Sequence, residues 1–185
     1  MKQYKHIVGT LALAFGMAAS AFAGNPDRQG EAGAYELTIN PWARGVVFVN
    51  CSKAVGVEAT YLNPAGVGRI MGSSELLISR TNYLQGTGIG INAGGFAMKL
   101  NENSAFGISL MSMDFGDIQV TTTDLPEGTG GTFSPSFINI GATYSYTFEK
   151  HLSVGITARS VSETTSNLTA GGLALDAGVL YTTGV

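Results

Sequence analysis

Two histidines, one cysteine and a scatter of carboxylates are all that this 185-residue chain offers to catalysis or metal binding. Their positions argue against both. His6 lies in a leading segment that is expected to be cleaved away, and His151 falls in a polar turn beside Glu149 and Lys150. No Ser, His and Asp set with a buried base can be assembled from them. Cys51 has no nearby His or second Cys to complete a nucleophile or a metal set, so it is expected to be a small buried hydrophobe. Gly86 to Gly95 is glycine-rich but lacks the Lys-Ser/Thr of a phosphate loop and the strand-to-helix setting of a dinucleotide site. Asp114, Asp117, Asp124 and Glu127 lack the fixed spacing of a calcium loop and read as a solvated acidic rim. The chain is therefore expected not to be an enzyme and to need no cofactor or metal.

The elements that would position side chains are signalled more clearly than any chemistry. Lys2 and Lys5 precede an almost wholly apolar stretch from Ile7 to Ala19, and Ala21, Phe22 and Ala23 form the small-x-small pattern of a signal-peptidase site, so residues 1–23 are expected to be an export signal. Cys51 is too far downstream for a lipoprotein anchor, and no later stretch approaches the ~20 apolar residues of a spanning helix. A hydrophobic fraction of 44% against 12% charged residues, with 26 glycines, is poor in charge for a soluble domain, where about a quarter is usual. Much of the surface is expected to face something other than water. A net charge of −3 supplies no basic patch, which removes nucleic acid as a partner.

Residues 24–70 read as an N-terminal plug segment. Gly24 to Glu31 is polar and mobile in character, Asn50 and Ser52 offer caps to a short helical stretch ending near Tyr61, and Gly56 weakens it. Asn63, Pro64, Ala65 and Gly66 then combine a favoured N-cap, a proline at the first helical position and a closing glycine, which predicts a capped turn over 63–69.

After Met71 the period becomes two. Ile138, Ile140, Ala142, Tyr144, Tyr146 and Phe148 make one apolar face against small or polar alternates, and Leu152 to Arg159 and Leu173 to Tyr181 repeat the pattern, with Arg159 and Asp176 on the opposite, lumen-facing side. Residues 88–100 change phase near Gly94 and Gly95, which predicts a bulge or bend there. With 75–84 and the repeat at Phe106, Ile108 and Leu110, about six strands are expected over 71–185, several of them as long as the ~9–11 residues of a tilted membrane strand. Short turns at 101–104 and 149–151 alternate with longer polar loops at 121–132 and 163–169, the asymmetry of outer-membrane barrels. The fold class expected is all-β, part of an antiparallel transmembrane β-barrel with a short N-terminal helical plug. In that setting Glu58, among Val55, Val57 and Ala59, needs an arginine or backbone donors to stay ionised; Arg44 and Arg69 are the candidate partners, and exposure to lumen water is the alternative.

Five motifs in order carry a resemblance: Gly56-Val57-Glu58-Ala59, Asn63-Pro64-Ala65-Gly66, Ser112-Met113-Asp114-Phe115-Gly116, Gly131-Thr132-Phe133-Ser134-Pro135 and Ala174-Leu175-Asp176-Ala177-Gly178. From about Leu37 onward the chain resembles the PorV/PorQ family of Bacteroidota outer-membrane proteins, itself similar to the FadL long-chain fatty-acid transporters that share the Asn-Pro-Ala signature in a plug. The resemblance implies a barrel of about fourteen strands, within the outer-membrane range, with Asn63 to Gly66 in the plug. It implies a partner surface on the outer loop that includes Asp124, Pro126 and Glu127. It also implies a role in type IX secretion, in which the protein binds or shuttles exported cargo and meets the secretion machinery as well as outer-membrane lipid. A FadL-like transporter of hydrophobic small molecules is the alternative, and a soluble secreted β-sandwich the plainest competitor. Six strands cannot close such a barrel, and Thr183-Gly184-Val185 lacks the terminal aromatic of a complete outer-membrane strand, so the sequence is expected to be an N-terminal fragment.

Overall fold

The computed structural model describes residues 34–43, 51–148, 151–166 and 168–183. The expected signal (1–23), the polar stretch after it and Arg44 lie outside the described residues. Among those described, six long strands form one antiparallel meander, ordered as they occur in the chain apart from a small ribbon: β1 (Ser74–Asn82), β2 (Gly90–Lys99), β3 (Ser104–Asp114), β6 (Ser136–Phe148), β7 (Leu152–Thr165) and β8 (Leu168–Tyr181). The ribbon pairs β4 (Ile118–Gln119) with β5 (Thr132–Phe133) inside the β3–β6 connection. The sheet is open, with β1 and β8 at its edges.

Strict alternation gives the sheet two unlike faces. One ladder row runs Leu76, Phe96, Ile108, Ala142, Ala158 and Leu175 across all six strands on the outer face. The row behind it on the inner face runs Leu77, Gly95, Ser109, Gly141, Arg159 and Ala174. Ile78, Ile108, Ile140, Ile156 and Leu173 are exposed on the outer face, whereas Ala97, Ala105, Ser109, Thr143, Ser145 and Thr157 on the inner face are completely buried. What buries them is the segment that precedes the sheet.

That segment folds as a 3-10 turn (Tyr35–Thr38), a second (Gly56–Glu58), a single helical turn α1 (Ala59–Leu62) and a 3-10 stretch (Pro64–Arg69). Trp42, Ala54, Val57, Ala59, Val67 and Ile70 form a core with Ala93, Ala97 and Ala105 of β2 and β3. A second cluster joins Ile91, Met111, Met113 and Phe137, with Leu37 and Ile39 packed on it.

Four sequence expectations are corrected. No bulge interrupts Gly94 and Gly95: pairing continues residue by residue from Ser74–Met98 to Asn82–Gly90. The glycine serves contact instead, since a Cβ at Gly95 would lie 2.4 Å from Val57 Cγ1. Residues 163–169 are not a long loop, because β7 runs to Thr165 and β8 starts at Leu168, with Ser166 turning at φ 54°. Cys51 is exposed at the start of a turn, not buried. The helical stretch begins at Gly56 (φ 64°) and not at Ser52, and the Val57 N–H is capped by Glu75 Oε2 of β1 at 3.2 Å.

Candidate functional site

The Asn63-Pro64-Ala65-Gly66 motif meets the wall at a seat made of small residues. Ala105, Ser145, Gly155 and Gly178 stand side by side on β3, β6, β7 and β8. A Cβ at Gly155 would lie 2.3 Å from Pro64 C, and one at Gly178 would lie 2.1 Å from Asn63 Oδ1. Any larger residue at either position would displace the motif.

The motif's local chemistry creates the polar groups that the wall then satisfies. Pro64 disfavours a helical residue before it, and Asn63 is extended at φ −160°, ψ 104°, which ends α1 at Leu62. Asn63 Oδ1 accepts from the Ala65 N–H at 3.2 Å, capping the 3-10 stretch, while its Nδ2 donates to Val179 O of β8 and Cys51 O, each at 3.2 Å. Ser145 Oγ donates to Ala65 O at 3.0 Å. One asparagine thereby both starts the turn and ties it to the wall.

Arg159 completes the seat. Its side chain is 5% exposed and its Nε lies 2.5 Å from Asp176 Oδ2 on the neighbouring strand. Nη2 donates to Thr60 O, and the guanidinium lies 4.4 Å from the centre of the Tyr61 ring. The stacking is a cation–π contact, and the Arg–Asp pair supplies the compensation that a buried charge requires. Gly141 makes room for it, since a Cβ there would lie 3.1 Å from Nη1. Beside this group, a cavity of about 230 Å³ is lined by Leu37, Thr60, Tyr61, Leu62 and Pro64 on the segment and by Arg159, Asp176 and Ala177 on the wall.

Of the residues singled out from sequence, Asn63 to Gly66 sit together at the seat. Arg69 reaches the end of β7 and β8 next to the seat, donating to Ser153 Oγ (3.0 Å), His151 O (2.9 Å) and Thr182 Oγ1. Glu58 lies on the 3-10 turn that precedes α1 and is partly exposed. Asp124, Pro126 and Glu127 are exposed in the long β3–β6 connection, at the sheet end opposite the β2–β3 turn and remote from the seat in the strand ladder. Among the described residues, no group of three His, Cys, Asp or Glu side chains is placed to hold a metal ion. The residues that sequence reasoning missed are Gly155, Gly178 and Ser145; two glycines falling in the same phase of adjacent strands were the available signal. Arg159 and Asp176 were placed on the inner face from their phase, but not as a pair. The chain matches no protein-family model and no curated protein.

Proposed function

We propose that the chain forms part of the wall and the internal plug of an outer-membrane β-barrel of the PorV/PorQ type, a non-enzymatic protein that binds or shuttles exported proteins in type IX secretion. The observation that carries the membrane part is the outer face. On β6 its outward residues run from Ile138 to Phe148, which at about 3.3 Å per residue is roughly 33 Å of strand. Tilted by ~40°, that projects to about 25 Å, the height of an outer-membrane apolar band. Tyr144, Phe148 and Tyr181 are exposed toward the end that carries the β2–β3 turn, where an aromatic girdle belongs. Toward the other end the row beyond Leu110 is polar on four strands, at Arg80, Asn92, Ser112 and Ser162, with Ile138 of β6 the last apolar outward residue among them and Gly171 on β8.

A sandwich would cover this face with a second sheet, whereas among the described residues the inner face alone is covered. In lipid each unpaired backbone group costs several kcal/mol, so the reading requires further strands on β1 and β8. The secretion role rests on the motif resemblance and on the exposed β3–β6 connection with Ile118, Val120 and Leu125 at its surface. The FadL-like transporter is the second reading, favoured by the cavity between Leu37, Leu62, Pro64 and the wall.

Purification of the tagged protein from outer membrane, with mass spectrometry of bound proteins and of an organic extract, separates the two. Exported proteins recovered in near-stoichiometric amount are the expected result. An apolar small molecule in the extract with no bound exported protein would replace the shuttle with the transporter.

A further inference from the structure

The segment from Gly56 to Arg69 is held to the wall by two unlike kinds of contact, and they are on opposite sides. Toward β2 and β3 it is apolar: Val57, Ala59 and Val67 are fully buried with Ala97 and Ala105, and Gly95 and Gly107 let the chains approach. Toward β6, β7 and β8 it sits closely on Gly155 and is held by polar bonds, from Ser145 to Ala65 O, from Asn63 to Val179 O, from Arg159 to Thr60 O and, at the end of the segment, from Arg69 to Ser153, His151 O and Thr182. The two sides respond differently to water. Exposing the apolar side costs the full transfer free energy of its side chains, whereas hydrogen bonds on the polar side exchange for bonds to water at a net cost of only ~0.5–1.5 kcal/mol each for neutral pairs.

Arg159 is the buried charged group that the wall contributes to the polar side, and its bond answers the way the motif ends α1. Because Pro64 has no N–H and Asn63 is extended, α1 stops at Leu62 and the Thr60 carbonyl has no helical donor four residues on. Arg159 supplies that donor from the wall while remaining paired with Asp176 across β7 and β8. The cavity lies along this same seam, with α1 and Pro64 on one side and Arg159, Asp176 and Ala177 on the other.

We propose that the segment opens as a flap, hinged on the apolar contact with β2 and β3 and latched to β7 by Arg159, so that the route past the plug runs along the β7–β8 side. Release of the Arg159–Thr60 bond frees α1 and widens the existing cavity; the Asn63 turn follows when its bonds to Val179 O and Ser145 exchange for water, while Val57 and Val67 stay in place and Arg69 holds the end of the segment. The contact stands on the geometry alone. Its meaning as a gate rests on the barrel reading.

The test is hydrogen exchange read by mass spectrometry on the full-length protein in lipid nanodiscs, comparing the wild type with Arg159→Met, Arg159→Lys and Asp176→Asn. In Arg159→Met, amides of residues 60–66 exchange at least tenfold faster while those of β2 and β3 keep wild-type rates. Arg159→Lys, which retains the charge without the forked donor, falls between. Asp176→Asn, which keeps the shape and removes the pairing charge, accelerates the same peptides and serves in place of Arg159→Met should that variant not assemble. Unchanged exchange at 60–66, or equal acceleration across β2, β3 and the segment, overturns the latch. A wild-type protein that fails to shift on an unboiled gel overturns the barrel reading instead, and leaves the exchange comparison to be read on the latch in detergent.

Discussion

Asn63 and its two glycine neighbours show how little the side chains of the seat can vary. Asn63 Oδ1 caps the turn and Nδ2 reaches β8, so Asn63→Ala removes a cap worth ~1 kcal/mol and a tie to the wall together. The expected outcome is a loss of roughly 1–2 kcal/mol in the free energy of opening the segment, measured by the exchange of the Gly66 amide. Gly178→Ala adds a methyl group where Asn63 Oδ1 already stands, and overpacking of this kind costs about 1–3 kcal/mol. It is expected to make residues 60–69 sensitive to protease in folded protein, whereas alanine at Gly90, with open space around its Cα, leaves cleavage unchanged. The asparagine cap was legible from sequence because capping is local. The glycine seat was not, because it depends on Gly155 standing opposite Gly178 across a strand pair, and register is a long-range property. The phase of Arg159 and Asp176 was legible for the same reason that the cap was; their diagonal pairing was not.

At the level of the strands, alternation carried most of the information. Six long strands and their inward and outward sets follow from period two, as β6 shows from Ser136 to Phe148. Glycine misled where it served packing. Gly94 and Gly95 read as a bulge, but the ladder runs through them and Gly95 is there to admit Val57. Polar composition misled at residues 163–169, where Thr164 and Thr169 face one another across β7 and β8 with their hydroxyls 3.3 Å apart; strand pairing outlasts the apolar band when β-branched residues continue it. The band itself yields a graded prediction. Ile140→Arg, in the middle of the outer face of β6, is expected to cost about 2–4 kcal/mol in reversible unfolding from lipid, and Asn92→Arg, in the polar row of β2, about 0–1 kcal/mol. Equal costs at the two positions would place both in water.

For the whole molecule, the two faces of one sheet state the account. The inner face is buried because a segment of the same chain lies on it, with small and polar residues under the Asn63 turn and Ile91, Met111, Met113 and Phe137 under Leu37 and Ile39, and the outer face is large and apolar because lipid is proposed to lie there. Neither β1 nor β8 has a partner on its outer edge among the described residues, so the account also expects additional strands in the native assembly. The most direct measurement is a nitroxide scan of β6 from Phe137 to Phe148 in lipid vesicles, with Cys51 replaced by Ser and collision rates read against oxygen and a water-soluble nickel chelate. A lipid-facing wall gives oxygen accessibility that peaks at Ile140, Ala142 and Tyr144, falls at Asn139, Gly141 and Thr143, and is matched by exclusion of nickel from the peaks. Nickel reaching Ile140, Ala142 and Tyr144 as freely as a surface loop would contradict the lipid-facing wall, and the barrel with it.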